Sequence, residues 1–195
     1  MRVVLASSNR GKLEELDRLL HPLGFDLVSQ GDLDITPAPE TAATFIENAL
    51  EKARHASRES GLPAIGDDSG LVVPALGGAP GILSARYAGT HGDNLANNEK
   101  LLRDLNGESD RRAHFYCALV FLTHAADPAP LVATAAWHGA ILNSPRGSGG
   151  FGYDPLFEVG NLQCSAAELP RAQKNRLSHR GQAVQALCNQ LQTQR

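Results

Sequence analysis

Four short stretches of the chain gather residues that could do chemistry. The first is Ser7-Ser8-Asn9-Arg10-Gly11-Lys12, which joins a short apolar run to a helix-like one. Small hydroxyl and amide side chains there can cap a helix and leave its N–H groups facing an anion. Lys12 falls in the first helical turn, where the helix dipole disfavours a cation. A phosphate held between dipole and lysine would remove that conflict. An ordinary capped helix with a solvated lysine explains the same residues. The P-loop pattern is not met, because Ala6 stands where it needs glycine and Leu13 follows the lysine.

The second stretch is Asp67-Asp68-Ser69-Gly70, with Glu40 and Glu47 as acidic companions. Adjacent carboxylates at a strand end can hold Mg²⁺ through one or two oxygens. One of them could instead orient or deprotonate a water. Neighbours in an extended segment point to opposite sides, so Asp67 and Asp68 share a site only if the chain bends between them. A plain Asp-Ser-Gly turn is the rival reading. Glu47 has its own explanation, a capping box with Thr44.

The third is Gly147-Ser148-Gly149-Gly150-Phe151-Gly152-Tyr153-Asp154-Pro155. It fits G-x-G-x-x-G, but Tyr-Asp-Pro and a strand-like segment follow, so no helix start receives a pyrophosphate. A glycine loop with two aromatics better suits a flat ligand, on which Phe151 or Tyr153 could stack. A hairpin loop with its aromatics in the core is the alternative. The fourth stretch sets Lys174 before Ser178-His179-Arg180-Gly181. With Ser178 as N-cap, His179 and Arg180 repeat the anomaly of Lys12, cations at the positive pole of a helix. Two such conflicts in an acidic protein point to one anionic ligand; a basic surface turn is the plain alternative. No G-x-S-x-G elbow or H-E-x-x-H occurs, and the other histidines, His114 and His138 among them, show no metal spacing.

The elements that must position these groups follow from periodicity. Val3 to Ala6 reads as a buried strand, and Gly11 to Leu20 as a helix through Leu13, Leu16, Leu19 and Leu20. Thr44 opens a second helix, with Ile46, Ala49, Leu50 and Ala53 turned inward, and Gly61 and Pro63 close it. Strand pieces at Ala64 to Gly66 and Leu71 to Val73 flank the paired aspartates. Asp93 to Leu105 reads as an amphipathic helix through Leu95, Leu101, Leu102 and Leu105. Strands are expected at His114 to Thr123, Leu131 to Leu142 and Leu156 to Val159. Ser165 and Glu168 form a second capping box, and Gly181 to Leu191 a closing helix. Helices and strands mix without a clean βαβ repeat. The expectation is an α/β fold with a mixed sheet and flanking helices, one domain over 1–195 or two lobes sharing it.

Composition bounds the rest. A chain of 195 residues with 42% apolar and 20% charged residues can bury about 70% of its unfolded surface and needs no disulfide or structural metal. Its net charge is 18 − 21 = −3, which argues against nucleic-acid or anionic-membrane binding. The longest apolar run, Phe115 to Leu122, has eight residues, against about 20 for a membrane span. Three scattered cysteines, Cys117, Cys164 and Cys188, suit a reducing cytoplasm.

Six pieces in fixed order resemble one family. They are Leu5 to Lys12; Glu40-Thr41 before Thr44-Phe45-Ile46-Glu47-Asn48-Ala49; Asp67 to Leu71; Gly77 to Gly81 leading to Ser84-Ala85-Arg86-Tyr87; Gly149 to Pro155; and Ser178-His179-Arg180. On these the chain resembles the inosine triphosphate pyrophosphatases, also called XTP/dITP diphosphatases. The resemblance implies a mixed α/β protein, usually a homodimer, with two lobes around a cleft. It also implies Mg²⁺-dependent cleavage of deaminated purine nucleoside triphosphates to monophosphate and pyrophosphate. By the same resemblance Ser7, Ser8, Asn9, Arg10, Gly11 and Lys12 match the phosphate-binding segment. Asp68 matches the proton acceptor and metal ligand, and Glu40 a further metal-site acid. Ser69, Phe151, Gly152, Tyr153, Asp154, Lys174, His179 and Arg180 match substrate contacts. One departure is Ser7-Ser8-Asn9 where the family commonly has Thr-Gly-Asn. Two rivals are a Maf-like pyrophosphatase for pyrimidine nucleotides, which lacks the Phe-Gly-Tyr-Asp-Pro and Ser-His-Arg pieces, and a non-catalytic nucleotide sensor, against which Asp67, Asp68 and Glu40 count.

Overall fold

The computed structural model describes residues 1–193, the side chains of Glu15 and Asn161 aside. Six strands form one mixed sheet in the order β2-β1-β3-β4-β5-β6. They are β1 (Arg2–Leu5), β2 (Asp26–Ser29), β3 (Ala64–Val72), β4 (Arg112–Leu122), β5 (Leu131–Ile141) and β6 (Phe157–Glu158). The helices are α1 (Arg10–Leu20), α2 (Phe45–Ser60), α3 (Asn94–Asp104), α4 (Arg171–Leu177) and α5 (His179–Thr193). β1 runs parallel to β2 and to β3, with Val4 opposite Ala64 and Leu5 opposite Ile65, while β6 returns antiparallel to β5. No helix of the described residues is long and apolar enough to cross a membrane.

The chain divides into two compact units. The first comprises Met1–Asp68, Cys117–Ala135 and the C-terminal stretch from Gln182. Its core joins Val3, Leu5 and Ile65 of the strands to Leu16 and Leu20 of α1, Leu119 and Phe121 of β4, and Val184 and Leu187 of α5. The i, i+3, i+4 spacing in α1 and α5 puts those leucines and valines on one stripe, and each fully buried aliphatic side chain contributes about 1.5–3 kcal/mol. Along α2, Ala49, Ala53 and Ala56 are fully buried. Such small residues let the helix lie close on β3. A Cβ on Gly66 would strike the Ala49 carbonyl oxygen, so glycine is required there by contact.

The second unit comprises Ser69–Tyr116 and Ala136–Gly181. Leu71, Leu101, Leu105, Phe115, Trp137, Tyr153, Leu156 and Phe157 form its core. Phe115 lies 4.7 Å from Phe157 and 6.3 Å from Trp137, ring centre to ring centre, spacings at which aromatic pairs attract.

Several expectations change. β3 is continuous through Asp67-Asp68-Ser69-Gly70, where the sequence suggested two pieces around a turn. β2 and α4 carry no strong periodicity and were not foreseen. The last helix starts at His179, two residues before Gly181. Leu95 is 71% exposed and Ile46 37%, so neither belongs to the buried stripe of its helix. The capping pair Ser165 and Glu168 is present, but it opens only a 3-10 turn, Ala166–Glu168.

Candidate active site

In the first unit, chemistry gathers around the end of β1 and the middle of β3. Asn9 caps α1 by accepting the Lys12 N–H at 3.1 Å. This places Lys12 in the first turn, and its Nζ meets Asp67 Oδ1 at 2.5 Å. The dipole conflict is answered within the protein, by a carboxylate whose side chain is fully buried. Cys117 Sγ lies 4.0 Å from the other Asp67 oxygen. Ser8 takes no left-handed backbone.

Asp68 faces a different set. Lys52 Nζ sits 2.8 Å from Asp68 Oδ1 and 2.5 Å from Glu40 Oε1. Asn48 Nδ2 donates to Asp68 Oδ2 at 3.2 Å. Asn48 and Lys52 stand one turn apart on α2, hence on one face. Burial pushes the Asp68 carboxyl up, Lys52 draws it down, and the charge on Glu40 pushes it up again, leaving it above the ordinary carboxylate value. Burial alone would lower Lys52, but Asp68 and then Glu40 outweigh it and hold the ammonium above the usual lysine value. Two carboxylates thus converge on one cationic position. That donor set, oxygen only and two acids, is the one Mg²⁺ takes from a protein when phosphate oxygens and waters complete its octahedron. Glu40 and Asp68 therefore fit the metal. Groups of three or more metal-ligating side chains are absent among the described residues. Glu47 is occupied otherwise: its N–H and carboxylate both bond Thr44 Oγ1, at 3.2 and 2.7 Å.

In the second unit, Arg180 is 7% exposed and donates to Ser69 Oγ at 3.0 Å. Ser178 Oγ accepts the Gly181 N–H, as an N-cap does. His179 stacks on Phe115 at 4.9 Å with 12° between the rings. In the glycine loop, Asp154 accepts the Phe151 N–H at 2.7 Å and pairs with Lys174. Lys174 also lies 5.2 Å from the centre of the Phe151 ring, which is 63% exposed. Tyr153 is 4% exposed, and its hydroxyl donates to the Ser84 carbonyl at 2.9 Å. Of the two aromatics considered for stacking, Phe151 offers an open face and Tyr153 packs in the core. A Cβ on Gly150, whose φ is +70°, would collide with the Asp154 carboxylate.

A profile described as the Ham1 family matches residues 3–190. The chain belongs to the Ham1 family. Relatives named dITP/XTP pyrophosphatase include one from Ralstonia nicotianae, 54% identical with 97% of this chain and 96% of its own length covered. Another, from Halorhodospira halophila, is 54% identical with 96% and 95% covered. Among solved structures, a HAM1 protein from Coxiella burnetii superposes with a TM-score of 0.95 at 44% identity, covering 99% of both chains. The Staphylococcus aureus Ham1 protein gives 0.92 at 36%, covering both chains fully. The mixed sheet with flanking helices is thus the Ham1 fold.

Within this Ham1 chain the structure adds a residue and a contact that the sequence reading missed. Lys52 and Asn48 complete the Asp68 cluster. No motif in the sequence singles out Lys52. Its one signal was spacing, four residues after Asn48 and beside the alanine stripe of α2.

Proposed function

We propose that this Ham1-family protein is a nucleoside-triphosphate pyrophosphatase acting on non-standard purine nucleotides: dITP, ITP and XTP or dXTP. It hydrolyses them to the monophosphate and pyrophosphate, which keeps them out of DNA and RNA. The observation that carries this reading is the convergence of Glu40 and Asp68 on Lys52, in a chain whose relatives bear that activity in their names.

The roles follow from the chemistry of each group. Asp68 accepts a proton from the attacking water and orients it toward the α-phosphorus. Glu40 and Asp68 would hold Mg²⁺, which when bound would offset negative charge on the phosphates. Lys52 supplies positive charge to the phosphate chain once Glu40 and Asp68 are engaged elsewhere, and Lys12 supports the same chain from its place beside Asp67. The segment Ser7 to Gly11 offers hydroxyl, amide and helix N–H donors to the same phosphates.

Base choice rests on the second unit. Hypoxanthine and xanthine carry a 6-oxo acceptor where adenine carries an amino donor. Arg180, with five N–H donors on a buried plane, and His179 pair with an acceptor and are left unpaired by adenine, a mismatch that discriminates strongly. Phe151 stacks on the base, while Gly152, Tyr153, Asp154, Lys174 and Ser69 shape its surroundings. The enzyme works as a cytoplasmic homodimer, one domain of two lobes per chain.

The test is a panel of dITP, ITP and XTP beside dATP, dGTP and dTTP, with Mg²⁺ and with EDTA. Pyrophosphate release from the deaminated purines alone, lost with EDTA, is expected. Release from dTTP, or tight binding of dITP without cleavage, would overturn the reading.

A further inference from the structure

Two consecutive asparagines, Asn97 and Asn98, lie inside α3. Asparagine is a poor helix former because its amide competes for nearby backbone groups. The pair is a local cost to the helix, so each residue needs an explanation from outside it.

Asn97 has one in the fold. It is 2% exposed, accepts the Ala88 N–H at 2.7 Å and donates to the Ala85 carbonyl at 3.3 Å. Both ends of its amide are used. Asn98 differs. Its Nδ2 donates to the Gly152 carbonyl at 3.0 Å, across 54 residues of chain. Its Oδ1 is buried without a hydrogen-bond partner among the described residues. A buried acceptor left unpaired is costly, and flipping the amide would set two acceptors against each other. The side chain therefore spends stability to deliver one donor to one carbonyl.

That carbonyl lies within the glycine loop. Gly150 and Gly152 both take left-handed backbone, with φ of +70° and +62°. Glycines have the widest conformational freedom of any residue, so a loop built on two of them is ordered only by outside contacts. Asp154 ties the loop to itself through the Phe151 N–H. Tyr153 ties it to the Ser84 carbonyl. Asn98 ties the Gly152 carbonyl, on the peptide that joins Gly152 to the buried Tyr153, to a helix. Turning that peptide changes ψ of Gly152, the residue next to Phe151, and so shifts the backbone that carries the exposed ring.

We infer that Asn98 is a positioning residue for base recognition: its amide locks the Gly152 peptide so that Phe151 is presented in one orientation. This rests on the base-binding role given above to Phe151–Asp154. The hydrogen bond of Asn98 goes to the glycine loop, where the base-binding residues lie, so its effect falls on binding and selectivity. A loop held in its binding conformation costs less to order when the nucleotide arrives.

The experiment compares wild type with Asn98→Ala and Asn98→Asp, the second keeping the shape while replacing the donor. Steady-state kinetics on dITP and dGTP are combined with thermal unfolding and with hydrogen exchange over residues 150–154. The expected result in both variants is a rise in KM for dITP of about 3- to 10-fold, with kcat within about twofold. The dITP-to-dGTP ratio of kcat/KM falls and amide exchange over 150–154 quickens in both; Tm does not drop in Asn98→Ala, while Asn98→Asp, which sets an unpaired carboxylate against the Gly152 carbonyl, loses some. A merely structural asparagine would lower Tm and leave KM and the ratio in place, which would overturn the inference. A wild-type enzyme that cleaves dITP while both variants keep its KM and ratio overturns the inference alone. A wild-type protein that leaves dITP intact overturns the functional reading and this inference with it.

Discussion

Asp67 and Asp68 are consecutive residues of β3, and their carboxylates face different lysines: Lys12 at 2.5 Å from the first, Lys52 at 2.8 Å from the second. The alternation of side chains along an extended strand produces this division. Both side chains are buried, at 2% and 8% residue exposure, and a buried carboxylate persists as an anion only with a partner. The two lysines arrive from the start of α1 and the middle of α2. One pair of like residues thus becomes two distinct groups, and only Asp68 shares its cation with a second acid, Glu40.

Asp68→Asn tests that division. The amide keeps the shape but accepts no proton, so kcat on dITP should fall by about 10²- to 10⁴-fold, with a folded protein by circular dichroism. Asp67→Asn should act more on stability, since it weakens the buried partner of Lys12. Near-normal turnover by Asp68→Asn would remove it as the base.

Lys52→Met leaves Glu40 and Asp68 facing each other without their shared cation. Loss of the charge-assisted bonds should cost roughly 1–3 kcal/mol of stability in metal-free buffer. Added Mg²⁺ should recover more of that loss than it adds to wild type, because the metal then neutralises the same two acids. Equal Mg²⁺ shifts in Tm for both proteins would contradict the shared position.

Gly66→Ala probes the contact that seats β3. The new methyl meets the Ala49 carbonyl oxygen, backbone that cannot yield without moving α2. A destabilisation of about 1–3 kcal/mol is expected, measured by urea unfolding, with a loss of activity through displacement of Asp67 and Asp68. An unchanged midpoint would mean that α2 and β3 are less closely packed.

Acid stability should report on Asp127, in the turn between β4 and β5. Its carboxylate accepts the Thr123 and Ala129 N–H groups at 2.9 Å each and the Thr123 hydroxyl at 2.8 Å. These bonds hold its pKa at about 2, below the ordinary 3.8. A depressed folded pKa stabilises above the unfolded value and loses that contribution as pH falls from about 3.8 to about 2. Asp127→Asn should be less stable than wild type at pH 7, and the gap should close across that window. A gap that is constant with pH would contradict the assignment.

How much of this was legible in the sequence differs from element to element. α1, α2, β4 and β5 were, because caps and apolar periodicity are local signals. β3 was not read as one strand, because Gly66, Asp67, Asp68 and Gly70 carry turn chemistry. The cations that let the aspartates stay buried in a strand lie 55 and 16 residues away. β2 has four residues and α4 seven, too few for a period to show. At the site, motif residues were legible by resemblance. Lys52 and Asn98 were not, nor was the bond from the motif residue Asn48 to Asp68, since a helix lysine or asparagine has a solvated explanation until the fold supplies its partner.

The most direct test of the whole account is hydrolysis of dITP with Mg²⁺ in ¹⁸O-labelled water. Water attack at the α-phosphorus predicts one labelled oxygen in dIMP and an unlabelled pyrophosphate. Label in the pyrophosphate, orthophosphate as the first product, or no cleavage of dITP at all would contradict it.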